Sequence, residues 1–235
     1  MKVLGDILRR DRRSPSPALI IPAQDRSYDY RRLCTYTWKV GNFLHQLGVR
    51  SGISVQIPDK PDPEPILTFF GTAFLGGMID WRNPDTGFKP RVQVLPSRTL
   101  DGVETVPETK YVGYGNRPDD PSIAYFERDI WSQNPTVPPE SVAPTDTVLA
   151  TPKQHYSHRD LLRAADAAID IWNIESGCAV AIKGSLQNPG VIAAGVLAPL
   201  MVNGSCILGG TSGDIVINEA DDSHTLQSII STVDN

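Results

Sequence analysis

The chain has 235 residues, with 27 acidic and 22 basic side chains and a formal net charge of −5 at pH 7. The basic residues are scattered, which argues against a nucleic-acid partner, and no run approaches the roughly 20 apolar residues of a membrane span. Met1 to Arg13 has no signal-peptide core, so we expect a cytoplasmic protein that does not bind membranes.

The first half of the chain alternates between helical and strand patterns. The predicted elements are a short helix at Gly5 to Arg10, a hairpin at Ala18 to Tyr30, a helix at Tyr30 to Leu47, a strand at Ile53 to Ile57, a helix at Ile66 to Leu75 and a strand at Met78 to Trp81. The long helix ends at Gly48, since glycine commonly follows the last helical turn.

The middle of the chain is less regular. Short strands are predicted at Val92 to Leu95, Gly102 to Val106 and Lys110 to Tyr114. Pro118 to Pro144 is rich in proline and polar residues, which favours an irregular connector. Trp131 indicates that this connector packs on the protein surface.

The second half returns to the pattern of the first. Its predicted elements are a strand at Thr147 to Thr151, a turn at Pro152 to Gln154, a helix at Arg159 to Trp172, a strand ending at Ile182, a helix at Gly190 to Leu200, strands at Cys206 to Leu208 and Asp214 to Asn218, and a final helix from Asp222 or Ser223 to about Thr232. Alternating helices and short apolar strands predict an α/β fold with largely parallel sheets flanked by helices.

An internal repeat links the two halves. The stretch Ser27 to Leu33 recurs as His155 to Leu161, with Tyr28 matched to Tyr156, and Gly52 to Ile57 corresponds to Gly177 to Ile182. A repeat predicts a repeated architecture. We therefore expect a first α/β lobe at 1–115, a connector at 116–145, and a second lobe at 146–235 with the same plan as the first.

These segments resemble the large N-terminal domain of the adenylate-forming (AMP-binding) synthetases, a family that includes acyl-CoA synthetases, peptide-synthetase adenylation domains and luciferases. The matching passages include Arg26 to Tyr30, Ala73 to Gly77 leading to Asn83-Pro84, and His158 to Leu162. The resemblance covers nearly the whole chain and rests on scaffold residues. It implies two pseudo-symmetric lobes and a truncated N-terminal domain without the family's C-terminal domain.

The resemblance also implies where a phosphate-binding loop should lie. In the family, a Ser/Thr/Gly-rich loop ending in Pro-Lys-Gly wraps the ATP phosphates, because glycine lets the backbone close around an anion. This chain has no glycine between Asp146 and His155, so Pro152 and Lys153 are the candidates for a nucleotide-binding remnant. The repeat instead makes this stretch a second copy of the hairpin, with Lys153 as a turn residue.

Other functional motifs of the family are also missing from their expected places. The aromatic-histidine pair beside the acyl pocket would fall at Gln187-Asn188, and the later adenine, ribose, hinge and lysine motifs would lie beyond the end of this sequence. We therefore expect no adenylation by this chain alone, and we assign no catalytic residue, no cofactor and no metal.

Three other groups of residues are expected to have ordinary structural roles. His155 and His158 lie near the start of a helix, with His155 expected in the preceding strand, and both are expected to be structural or surface residues. Gly209 to Asp214 precedes a strand, so it is expected to form a turn and not a phosphate loop. The cluster of Glu219, Asp221, Asp222 and His224 lacks the pattern of a calcium loop and is expected to cap a helix and to be solvated. Cys34, Cys178 and Cys206 are expected to be buried free thiols.

Three hypotheses about function follow. The leading one is a synthetase-like protein without adenylation activity of its own that acts in binding, regulation or assembly. A second is one subunit of a split acyl-CoA or acyl-adenylate synthetase. A third is a small-ligand-binding domain whose cleft lies where the strands end, with Asn83, Asp85, Asn188 and Thr211 as polar candidates. We also expect a homo-oligomer, as a dimer, or a hetero-partner.

Overall fold

The computed structural model describes residues 1–81, 89–102 and 105–231. The chain divides into two compact units, each built from separate stretches of sequence. Unit 1 contains Met1–Cys34, Asp59–Pro63 and the stretch that begins at Tyr156, whereas unit 2 contains Thr35–Pro58 and Glu64–His155. Each unit combines parts of both halves of the sequence, and the bounds 1–115, 116–145 and 146–235 stay a prediction.

The elements of the described chain alternate much as the sequence pattern predicts. The strands are β1 (Pro17–Ile21), β2 (Arg26–Asp29), β3 (Ser54–Gln56), β4 (Met78–Asp80), β5 (Val92–Pro96), β6 (Lys110–Tyr114), β7 (Ala124–Tyr125), β8 (Thr147–Ala150), β9 (His155–Ser157), β10 (Ala179–Ile182), β11 (Ser205–Leu208) and β12 (Ile215–Ile217). The helices are α1 (Tyr30–Gln46), α2 (Pro63–Ala73), α3 (Phe126–Trp131), α4 (His158–Trp172), α5 (Pro189–Val191), α6 (Ala198–Met201) and α7 (Ser223–Ser231). A π-helical segment, Ile192–Leu197, joins α5 to α6.

The sheet of unit 1 has five strands in the order β12-β10-β11-β1-β2. Strand β11 pairs in parallel with both β1 and β10, and β10 pairs in parallel with β12. The hairpin of β1 and β2 adds one antiparallel pair at an edge. The carboxyl ends of β10, β11 and β12 consequently lie along one edge of the sheet, which is where α/β proteins commonly bind ligands.

The second sheet has the strand order β7-β6-β5-β3-β4-β8-β9. Its pairs β3 with β4, β3 with β5, and β4 with β8 are parallel. Both sheets are built from short buried strands and are flanked by helices, so the predicted α/β class is confirmed.

Helix α4 shows how the sequence fixes an element boundary. The Ser157 hydroxyl accepts from the Asp160 backbone N–H at 3.2 Å, and the Asp160 carboxylate accepts from the Ser157 N–H at 2.8 Å. This capping box satisfies two N–H groups that a helix start otherwise leaves without partners. At the other end, Asn173 takes a left-handed conformation with φ 50° and ends the helix.

The connector is more ordered than the sequence predicted, because 116–145 contains β7 and helix α3. It packs against α1 within unit 2. The Lys39 ammonium lies 5.2 Å from the centroid of the Trp131 ring and donates to the Trp131 carbonyl at 2.8 Å. Asn42 donates to the Thr136 carbonyl at 2.7 Å. The surface packing expected for Trp131 is therefore present.

Two further predictions differ in detail from the structure. The first helix is a 3-10 helix at Leu4–Leu8. Val103 and Glu104, at the centre of the strand predicted at Gly102 to Val106, lie outside the described residues. In the part of the chain that the structure describes, no helix is long and apolar enough to cross a bilayer.

Candidate functional site

Unit 1 contains a cavity of about 590 Å³ at the carboxyl ends of β10, β11 and β12, which we call the strand-end cleft. Its apolar floor consists of Ile182, Leu186 and Leu208, which are all buried. The exposed polar residues of its rim are Lys60, Lys183 and Thr211, and the half-buried Asp59 and Asn218 also line it. The cleft therefore combines an apolar surface with cationic and hydroxyl groups.

Two loops form the walls of the cleft, and Asp59 ties them together. One oxygen of the Asp59 carboxylate accepts from the Ser185 hydroxyl at 2.6 Å, and the other accepts from the Leu186 backbone N–H at 3.0 Å. Both oxygens of this carboxylate thus accept hydrogen bonds from the loop that follows β10. Asp59 acts as a structural tie and leaves the rim lysines without a close carboxylate partner in the part of the chain that the structure describes.

Glycines after two of the strands let the loops turn close to the sheet. Gly209 has φ +64°, a conformation that side chains other than glycine rarely adopt, and an added Cβ would lie 3.1 Å from Pro61 Cβ. At Gly184 an added Cβ would approach Val191 Cγ2 to 2.6 Å. These close approaches hold the loops against the strand ends and leave the cleft open.

The acidic cluster beside the cleft supports loops. The Glu219 carboxylate accepts from the Ser185 N–H at 3.0 Å and from the Asn188 side-chain amide at 2.9 Å. The Asp222 carboxylate accepts from the Asn218 N–H at 2.8 Å just before α7. These contacts join loops and are not N-cap hydrogen bonds of α7, so the expected capping role stays a prediction. The described residues contain no group of three His, Cys, Asp or Glu side chains placed to hold a metal ion.

The candidate residues named from the sequence do not all converge on the cleft. Thr211 lies on the rim. Asn188 instead caps α5, because its side-chain oxygen accepts from the Gly190 N–H at 2.9 Å. Asn83 and Asp85 lie outside the described residues. Asn188 therefore has a capping role and is not among the residues that line the strand-end cleft.

Sequence reasoning missed Asp59, Lys60 and Lys183. A signal for them was available, because each follows a buried apolar strand within a few residues and the carboxyl ends of strands are the usual place for ligand-contacting groups. Only the fold shows that the loop after β3 and the loop after β10 line one cavity.

Pro152 and Lys153 are exposed in the short turn between β8 and β9. The Thr151 N–H donates to the Gln154 carbonyl at 2.9 Å, and the Gln154 N–H donates to the Thr151 hydroxyl at 3.0 Å. The turn is thus closed by its own hydrogen bonds. Neither Pro152 nor Lys153 is among the residues that line the strand-end cleft.

His155 belongs to β9 and His158 is the first residue of α4, and the two histidines have separate environments. His158 is fully buried, and its Nδ1 accepts from the Leu4 backbone N–H at 3.1 Å. His155 is exposed. His158 therefore has a structural contact within unit 1, and the pair does not form a shared site.

The thiols differ in exposure. Cys34 and Cys206 are buried, and burial raises the pKa of Cys34 to about 11 and that of Cys206 to about 12. Cys178 is only half-buried, contrary to the sequence expectation, because it lies just before β10 beside a cavity of about 540 Å³. Partial burial, followed by the charge of Asp214, raises the pKa of Cys178 as well. No thiol is activated as a nucleophile by these surroundings.

Several solved structures share this arrangement of strands and helices. The anthranilate CoA ligase AuaEII, solved in complex with anthranoyl-AMP, matches with a TM-score of 0.77 at 22% identity over 98% of this chain and 48% of that chain. The N-terminal domain of FACL13 from Mycobacterium tuberculosis matches with a TM-score of 0.69 at 15% identity over 96% of this chain and 60% of that chain. MatB from Rhodopseudomonas palustris matches with a TM-score of 0.67 at 16% identity over 88% of this chain and 45% of that chain.

The chain thus spans about half the length of the first of these ligases, at 48%. No profile of a known protein family matches the sequence, and no curated protein is similar to it at a significant level. The structural matches nevertheless agree over nearly the whole described chain. This protein has the fold of the N-terminal domain of the AMP-binding, adenylate-forming ligases.

Proposed function

We propose that this chain is a synthetase-like binding protein that does not adenylate a substrate on its own. The observation that carries the proposal is the turn at Thr151 to Gln154. A loop that wraps phosphates presents several consecutive backbone N–H groups to the anion. Here the Thr151 and Gln154 N–H groups are both used within the turn, and Pro152 has no N–H.

The strand-end cleft supports the binding part of the proposal. It lies at the carboxyl ends of parallel strands, and its volume of about 590 Å³ falls within the range of small-molecule sites. The described residues that line it offer a threonine hydroxyl, lysines and an aspartate held by two hydrogen bonds. This set can hold and orient a ligand, whereas a nucleophile paired with a general base is not among it.

The test is ATP-dependent pyrophosphate exchange with a panel of carboxylic acids that includes anthranilate. The folded chain is expected to give no exchange above the protein-free blank at any salt concentration tried. An intact ligase such as AuaEII serves as the positive control, and circular dichroism confirms that the chain is folded in each buffer. Exchange that depends on one carboxylic acid and on this protein would refute the proposal.

A second candidate function is one subunit of a split acyl-CoA or acyl-adenylate synthetase. The observation in its favour is the coverage of 98% of this chain against 48% of AuaEII. In that case a second polypeptide supplies the rest of the ligase fold. Purification of the chain from its native source, followed by pyrophosphate exchange on the intact complex, separates the two candidates, because only the split synthetase gives exchange in the complex and none in the isolated chain.

A further inference from the structure

The rim of the strand-end cleft carries an unusual balance of charge for an acidic protein. Among the described residues that line the cleft, Lys60 and Lys183 face a single acid, Asp59. Both Asp59 oxygens accept hydrogen bonds from the loop after β10. Neither lysine side chain makes a hydrogen bond or ion pair with another described residue. The cleft is therefore locally cationic in a chain whose net charge is −5.

Other donors accompany these lysines. Thr211 is exposed on the rim and contributes a hydroxyl group. The backbone N–H groups of Gly210 and Thr211 lie in the turn after β11 and donate to no described residue. Gly210 is required for this course of the chain, since an added Cβ would lie 2.5 Å from Ile207 Cγ2. Unsatisfied N–H groups beside cations are typical of anion sites.

The floor of the cleft favours a ligand with an apolar part. Ile182, Leu186 and Leu208 lie beneath the rim, and each is less than one tenth exposed, so the apolar surface that they offer is small. Inorganic phosphate alone would leave this small surface in contact with water. A ligand that covers it gains about 25 cal/mol for each Å² of apolar surface removed from water.

We propose that the strand-end cleft binds a phosphomonoester with a small apolar body. Two lysines, a hydroxyl and free N–H groups suit a dianionic head with three acceptor oxygens, which a phosphomonoester presents near neutral pH. A carboxylate carries one charge and two oxygens and uses fewer of these donors. The inference rests on the proposed function, because it names the class of ligand that the binding protein holds.

The experiment is calorimetric titration of the full chain with benzyl phosphate. Benzyl alcohol, phenylacetate and inorganic phosphate are titrated in parallel, so that the contributions of charge, of the dianion and of the apolar body are separated. Benzyl phosphate is expected to bind at least about tenfold more tightly than each of the others, in line with charge-assisted hydrogen bonds and apolar burial acting together. Its affinity is also expected to fall as sodium chloride is raised.

Variants locate the site. Lys60→Gln and Lys183→Gln are each expected to weaken benzyl phosphate about fivefold, a modest loss because both lysines are exposed to solvent. Lys110→Gln is the matched control, since Lys110 is an exposed lysine of β6 that does not line the cleft. Thermal unfolding of each variant confirms that it folds. In spectra of the labelled chain, the amide signals of Gly210 and Thr211 are expected to shift on binding.

Three results would overturn the inference. They are the absence of saturable binding up to millimolar benzyl phosphate, equal binding of benzyl alcohol or phenylacetate, and equal loss of affinity in the cleft lysine variants and the Lys110→Gln control. These outcomes are independent of pyrophosphate exchange. Absent binding with absent exchange refutes the ligand class and leaves the proposed function in place, whereas exchange refutes the proposed function directly.

Discussion

At the residue scale, Tyr30 shows how one hydroxyl supports the end of a helix in unit 1. Its side chain is fully buried, and its hydroxyl donates to the Gly204 carbonyl at 2.8 Å. The Leu200 carbonyl lies 3.2 Å from the same oxygen and also accepts from Arg12 at 2.6 Å. Carbonyls at a helix end lack partners within the helix, so these donors satisfy them.

Tyr30→Phe is therefore expected to lower the free energy of unfolding by about 1 to 2 kcal/mol, because it leaves a buried carbonyl without its donor. Urea denaturation measures the change. The matched control is Tyr125→Phe, whose hydroxyl lies at the distance limit of 3.5 Å from the Gly115 carbonyl in an exposed contact. Equal losses for the two variants would show that the buried hydrogen bond of Tyr30 adds no more stability than the exposed contact of Tyr125.

The buried thiols predict how stability depends on alkaline pH. Burial raises the pKa of Cys206 to about 12 and that of Cys34 to about 11, from an ordinary value of 9.0. The unfolded chain therefore loses these protons first, and the folded state binds more protons above pH 9.0. The stabilising contribution is complete below that pH and is lost as the pH rises toward the folded-state pKa values.

Unfolding free energies at about pH 8 and about pH 10 test this, with a loss of at most about 1.4 kcal/mol per pH unit for each thiol. The Cys206→Ala variant is expected to lose less stability over the same interval. A variant with the same pH slope as the unmodified chain would contradict the assignment to Cys206.

Lys60 and Lys183 show which part of the candidate site could not be predicted from individual residues. Their position after buried strands is visible in the sequence, but β3 and β10 belong to different sheets, so only the folded chain shows that the two lysines line one cavity. Asn188 is the opposite case, a residue that the sequence suggested for the cleft and that the structure shows as a helix cap. An amide before proline and glycine fits both a ligand contact and a helix cap, and the loop geometry selects the cap.

At the scale of elements, the capping box of α4 has a measurable effect. Ser157→Ala removes the acceptor of the Asp160 N–H and is expected to cost about 1 kcal/mol. Urea denaturation again provides the measurement. Ser176→Ala, at an exposed turn residue outside any helix, is the control and is expected to be neutral within about 0.5 kcal/mol. A neutral Ser157→Ala would mean that the cap is replaced by water without loss.

Most helices and strands were predictable because their apolar residues follow a clear period. The helix Gly190 to Leu200 was predicted correctly in extent, but its π-helical centre at Ile192–Leu197 was not. That segment is apolar all round, so it is consistent with any helix type. Its geometry depends on tertiary packing, as at Gly195, where an added Cβ would lie 2.7 Å from Ile182 Cγ1.

At the level of the whole molecule, the edge strands of the sheets are surfaces through which two copies of the chain could pair. Strand β12 lies at an edge of the five-stranded sheet, and its residues Ile215 and Val216 are only half-buried. An edge strand presents backbone groups that can pair with another chain. This edge supports the expectation of a dimer.

Light scattering of the purified chain is expected to give about twice the monomer mass of 25.7 kDa. Val216→Lys is expected to shift the protein toward the monomer, since a lysine on an edge strand opposes pairing. Lys110→Gln, at an exposed position of β6, is the control. A monomer at all concentrations would contradict the prediction.

A chain that does not adenylate a substrate on its own is not expected to bind Mg-ATP, although its fold is that of a ligase domain. The first measurement is calorimetric titration of the folded chain with Mg-ATP at several salt concentrations. No saturable heat is expected up to millimolar Mg-ATP. Saturable binding at micromolar concentration, about −8 kcal/mol, would count against the proposed function and would favour the split synthetase.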